Sequence, residues 1–167
     1  MPGPPIRTDI IDVYVFRRVP RTGAADVHFL QLRRTAAGRL PATWQPVMGH
    51  ARNDDSAARC ALRELAEETG FTATDLRGFW QLEQPNTYFL NAADALILSP
   101  CFAAQVDSEA EPRLNHEHDA HRWVPRARAD RDFLWPGQRH AITQIIRDIL
   151  EPDAPAEPLL RVDPKNP

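Results

Sequence analysis

A change of hydrophobic period near residue 55 constrains this chain more than any other feature. Before it, apolar side chains follow strand spacing. Ile6 to Phe16 (IRTDIIDVYVF) and Val27 to Leu32 (VHFLQL) are β-branched and aromatic and read as strands, divided by a turn over Arg21-Thr22-Gly23. A third, short strand runs from Trp44 to Met48 and ends at Gly49. From Asp55 to Thr69 the pattern becomes Ala, Leu, Arg and Glu at three- and four-residue spacing, which predicts a helix. Asp54, Asp55 and Ser56 offer capping oxygens at its start. Gly70 is placed as a left-handed cap at its end, with Phe71 able to touch Leu65 or Ala66.

Beyond the helix, Gly78–Glu83, Ala92–Leu98 and Ala120–Val124 are strand-like, and residues 107–116 form a polar loop. Gln138–Leu150 is an amphipathic helix with Ile142, Ile145, Ile146 and Ile149 on one face. This order of elements implies an α/β (α+β) domain over residues 6–150, a mixed sheet with a helix against each face. The Pro/Gly leader 1–5 is expected to be disordered, and the tail 151–167, with its five prolines, to be flexible.

Composition excludes several classes. With 43% hydrophobic and 26% charged residues, the 167-residue chain can bury one core without a disulfide or structural metal. A net charge of −3, with arginines scattered among acids, argues against binding duplex nucleic acid. No apolar run is long enough to span a bilayer, and no apolar signal core follows the N-terminus, so the cytoplasm is the expected location. Cys60 and Cys101 read as buried, reduced thiols. The histidines at 116, 118 and 121 lack a cysteine or a fourth spaced ligand, so they do not read as a zinc site.

On the 55–69 helix, Ala58, Leu62, Leu65 and Thr69 fall on the flank expected to pack on the sheet, while Glu64, Glu67 and Glu68 share another flank. Like charges at i,i+4 cost an isolated helix roughly 0.2–0.5 kcal/mol, which a divalent cation would offset. Arg63 is placed to grip a neighbouring carboxylate with its forked donors. Solvated Glu/Arg faces are common, so charge alone does not make a site; the fixed spacing of the residues around it decides.

The segment GHARNDDSAARCALRELAEETGF, from Gly49 to Phe71, resembles the Nudix box. Gly49, Arg63, Glu64, Leu65, Glu67, Glu68, Gly70 and Phe71 fall in register, and Asp55 stands where the family has its first Glu. The resemblance implies a Nudix α/β/α sandwich that hydrolyses diphosphate linkages with Mg²⁺, or Mn²⁺ as a substitute. It makes Gly49 (through its carbonyl), Glu64, Glu67 and Glu68 the metal site, and Arg63 the residue that orients a glutamate. Asp55, one methylene shorter, reaches a metal only through water or caps the helix.

Glu117, shortly before Trp123-Val124, matches the extra loop glutamate of many Nudix hydrolases and is a candidate base or metal ligand. Phe29–Arg34, Trp44–Gly49, Glu117-His118 and Trp135–Ile142 are similar to the branch that holds dihydroneopterin triphosphate pyrophosphatase and (d)NTP pyrophosphohydrolases. By that similarity Arg33 and Arg34 are candidates for phosphate. Trp44 and Gln45, with Trp80, Tyr88 and Phe89, are candidates for a base or pterin ring, core packing being their other role. The resemblance leaves a homodimer open. A silent nucleotide sensor is the alternative function, although degenerate members usually lose a glutamate that is present here. Isomerisation of a prenyl diphosphate finds no supporting Cys/Glu pairing.

Overall fold

Strand β2 (Ile10–Val19) is buried on both faces from Ile10 to Phe16, as a strand covered on both sides by helices must be. The computed structural model describes residues 3–21, 26–37, 40–52 and 54–167. Parts of the leader and of the 21–23 turn expected from the sequence lie outside them. β2 pairs antiparallel with β3 (Asp26–Arg34) and with β5 (Val47–His50), and parallel with β9 (Cys101–Val106). β10 (His118–Pro125) and β6 (Gly78–Gln81) close the two edges, and β4 (Trp44–Gln45) adds to β3. The result is a seven-stranded mixed sheet in the order β10-β3-β2-β9-β6, with β4 and β5 beside that path.

Helices cover both faces, as the period change implies. Ile11, Val13 and Val15 of β2 pack with Cys60, Ala61 and Leu65 of α1 (Ala57–Thr69). Tyr14 and Phe16 point the other way and meet Ala129 of α2 (Arg126–Asp132), Phe133, and Ile142 and Ile145 of α3 (Pro136–Ile145). A second sheet joins β1 (Ile6–Arg7), β8 (Ala95–Ser99) and β7 (Asn86–Leu90). No helix among the described residues is long and apolar enough to cross a membrane.

Several boundaries differ from the sequence reading. The strand expected over 6–16 breaks at Thr8-Asp9, and the one over 44–48 splits at Pro46, which has no N–H for the ladder. The strand expected at 92–98 begins at Ala95, after a 3-10 turn over Asn91–Ala93. β9, the parallel partner of β2, was hidden in the apolar run beyond Ser99-Pro100, and α2 was not foreseen. The helix expected over 138–150 is α3 followed by a π-helical turn, Ile146–Leu150.

The tail also departs from expectation. Residues 151–167 are tied down rather than free: α4 (Glu157–Leu160) accepts a bond from Trp80 Nε1 on Glu157 at 2.7 Å, and Val162 N–H donates to Phe79 O at 2.8 Å. Arg161 adds a bond to Arg77 O at 3.2 Å and lies 5.3 Å over the Trp80 ring, and Leu160 and Val162 pack on the cores, none of which shows in composition.

Candidate active site

The loop before α1 and the helix itself set the site. Ser56 caps α1 by accepting from Arg59 N–H at 3.2 Å, and Gly70 ends it at φ 75°, where its N–H reaches Ala66 O at 3.0 Å. Gly49 sits on β5 opposite Ile11. A Cβ built on Gly49 would overlap the Glu64 side chain, so that carboxylate lies directly against the strand.

Arg63 is the hub of this region. It donates to Asp55 Oδ2 at 3.3 and 3.0 Å, to His50 O at 2.9 Å and to Glu64 Oε1 at 2.5 Å, and lies 3.5 Å from Glu67. Burial opposes its charge, yet the bonds to Glu64 and Asp55 hold its pKa above the usual value. Asp55 is spent on Arg63 and on the Arg52 amide, which is what a short carboxylate at the start of a helix can reach. It stands here as an anchor for the arginine.

The packed flank of α1 holds Leu65 and Thr69 as expected, with Ala58 and Leu62 against the same cluster, but it extends further round the helix. Cys60, Ala61, Leu65, Glu68 and Thr69 are buried, so Glu68 lies on the core side at 2% exposure, whereas Leu62 is only partly covered. Glu68 Oε2 is buried without a hydrogen-bond partner. Burial, then the charges of Glu64 and Glu117, pushes the Glu68 carboxyl well above its ordinary pKa; Arg34 and the Met48 amide act the other way. Glu64 and Glu68, from one helix, and Glu117, from the segment before β10, therefore share one electrostatic neighbourhood.

Glu67 stands apart. Its side chain is 46% exposed and meets Arg52 at 3.2 Å. Among the described residues no three His, Cys, Asp or Glu side chains converge closely enough to hold an ion, because Arg63 draws Glu64 and Arg52 draws Glu67. The donor set still suits a hard divalent cation: carboxylate oxygens, one of them buried and orphaned, at a position where that cation would relieve the desolvation.

Glu117 meets Arg34 at 3.1 Å, and Arg34 Nε is buried without a partner. Arg33 instead pairs with Asp119 at 2.6 Å, in an exposed position. Trp44 lies under guanidinium groups, with Arg122 at 4.4 Å and Arg33 at 5.8 Å from the ring centroid. Gln45 is buried and donates to Thr43 Oγ1 at 2.8 Å. Arg34 is thus beside the acids, while Arg33, Trp44 and Gln45 already have partners within the protein. Trp80 is packed in the core, Tyr88 is partly buried, and Phe89 is exposed on the second sheet. Two residues missed from the sequence are Arg52 and Asn115, whose Oδ1 accepts from the Glu117 amide at 3.0 Å. An Asn two residues before a candidate acid is an Asx-turn signal that could have been read.

A family model described as "NUDIX domain" matches residues 11–145. The chain belongs to the Nudix hydrolase family. An asymmetrical bis(5'-nucleosyl)-tetraphosphatase of Sus scrofa is 30% identical over 123 residues, covering 66% of this chain and 74% of that protein. An octanoyltransferase of Myxococcus xanthus is 31% identical over 141 residues, and the match takes 83% of this chain but spans only 36% of that protein. Among solved structures, a C. elegans Ap4A hydrolase superposes with a TM-score of 0.67 at 19% identity, over 83% of this chain and 95% of that one. The E. coli dihydroneopterin triphosphate pyrophosphohydrolase does so with a TM-score of 0.64 at 20% identity, over 81% and 94%. At these identities the structural likeness is one of fold. Nudix hydrolases generally use a divalent metal, consistent with the donor set on α1.

Proposed function

We propose that this Nudix domain is a Mg²⁺-dependent pyrophosphohydrolase that cleaves a diphosphate linkage in a nucleoside polyphosphate. The observation that carries the reading is the pair Glu64 and Glu68 on α1, with Glu68 Oε2 buried and unpartnered and Glu117 close enough to raise its pKa. Glu64 and Glu68 would hold the cation, with Glu67 contributing from the exposed side. Bound there, Mg²⁺ supplies neutralisation of phosphate charge and acidification of a water molecule.

The chain's own groups do the rest. Glu117, poised opposite α1, accepts a proton from the attacking water as its oxygen bonds to phosphorus and the bridging P–O bond breaks. Arg34, with an unspent donor beside Glu117, meets the charge of a phosphate. Arg63 fixes Glu64 to the His50 carbonyl and holds its carboxylate in place. Together these groups must lower a barrier by at least about 8 kcal/mol, more than one carboxylate provides and within reach of a charged, preorganised site.

The tetraphosphatase relatives favour a dinucleoside polyphosphate, and the similarity carried by Trp44–Gly49 and Trp135–Ile142 favours a (d)NTP or dihydroneopterin triphosphate. The test is a product-release screen of diadenosine tetraphosphate, (d)NTPs, dihydroneopterin triphosphate and ADP-ribose with Mg²⁺ or Mn²⁺. The reading expects phosphate, pyrophosphate or nucleotide products from the parent and none from Glu68→Gln. Tight nucleotide binding by the parent without any product would support the silent sensor instead.

A further inference from the structure

Glu117 hangs from a segment without regular structure. It leaves β9 after Val106, lays Ala110 and Leu114 on the cluster beneath α1, and enters β10 at His118. Ordering such a segment costs backbone entropy at every residue, so its position must be fixed by bonds to the elements around it. Arg77 clasps Asp107 at its start, and Arg113 N–H donates to Thr69 O at 2.8 Å, at the end of α1.

The densest attachment is at Glu111. One oxygen accepts from Arg17 of β2 at 2.8 Å, and the other accepts from His121 Nε2 at 2.9 Å and Trp123 Nε1 at 3.2 Å, both on β10. Arg17 also donates to Ala110 O at 3.2 Å and stacks 4.2 Å over the Trp123 ring. Arg17 is only 14% exposed and its Nε has no partner, so Glu111 is the carboxylate that balances it. A single exposed ion pair would hold little. Here one carboxylate collects three donors from two strands, which fixes a position rather than merely adding attraction.

We propose that Glu111 is a positioning residue for Glu117, tying the strap 107–117 to β2 and β10 and so setting the height of Glu117 over the acids of α1. The proposal rests on the functional reading above, in which Glu117 works on the substrate. Asn115 completes the link by fixing the Glu117 amide.

The test compares the parent with Glu111→Gln, Glu117→Gln and the double variant in Mg²⁺, on whichever substrate the screen identifies. Glu111→Gln is expected to lower kcat about tenfold, the effect typical of a supporting residue, with KM changed by less than about twofold. In the Glu117→Gln background it should cost nothing more, because the two act through one point. Losses that multiply in the double variant, or an unchanged kcat in Glu111→Gln, overturn the proposal. Should Glu111→Gln not fold, Trp123→Phe removes one donor while keeping the partner of Arg17, and the same comparison applies. Amide exchange on the metal-free protein separates this inference from the functional one. Faster exchange over 112–118 with α1 unchanged supports the tie even without turnover; unaltered exchange there overturns it.

Discussion

The Glu64 side chain fills the space that a Cβ on residue 49 would need. Glycine at this point of β5 is therefore a steric condition for where the acid sits. Gly49→Ala should displace Glu64 and lower kcat/KM by at least about tenfold, a misplacement penalty, while the domain stays folded. Steady-state kinetics beside a thermal melt checks this; a variant as active as the parent would show that Glu64 has no fixed role.

Glu68 gives a trade between stability and activity. Burial and the neighbouring acids penalise its charged form. Glu68→Gln should therefore melt at or above the parent temperature in chelator, yet lose at least about 100-fold in kcat. Mg²⁺ should raise the melting temperature of the parent and leave that of the variant unmoved. Calorimetric melts with and without metal measure the two thermal effects, and steady-state kinetics measures the loss of kcat.

Glu67, exposed and engaged with Arg52, should matter less. Glu67→Gln is expected to reduce kcat/KM by about tenfold or less, well short of the losses at Glu64 and Glu68. Equal losses at all three positions would show that the acids regroup when metal binds.

Asp12 gives a pH signature away from the acids. Burial raises its carboxyl from 3.8 to about 6, against partial relief from Asn86, Ser99 and Cys101. Between those values the folded protein keeps a proton that the unfolded chain has released. Its contribution is therefore complete below about pH 4 and is lost as the pH rises through about 6, on the order of 2–3 kcal/mol in all. Asp12→Asn should gain stability relative to the parent between pH 5 and 7, read from melts across that range. A pH-independent difference would refute the shift.

The docked tail gives a deletion test. Removing 157–167 takes away the Glu157 partner of Trp80 and the Val162 pairing with Phe79. The melting temperature should fall by about 2–8 °C, the equivalent of roughly 1–2 kcal/mol in a domain of this size.

What could be read in advance was local. Ser56 and Gly70 bracket α1 through their own backbone chemistry, and the residues from Gly49 to Phe71 keep a spacing that names the family. What could not be read depends on the other side of a contact. Helical spacing groups Glu67 and Glu68 together; only β5 lying beside the helix buries one and leaves the other in water. The expected strand ends at Leu98, so β9 beyond Pro100 has no counterpart in that reading, and the tail's prolines mask a docking made by Glu157, Leu160, Arg161 and Val162. Asp55 reads as a shortened ligand, and the arginine that claims it lies eight residues further along the chain.

Glu64 and Glu68 ride on a single helix and can shift only as a unit, whereas Glu117 belongs to a separate span moored to β2 and β10. The clearance between helix and span is thus set by the bonds of that mooring. Any group lodged between them is therefore flanked by two parts of the chain whose places are set by separate sets of bonds.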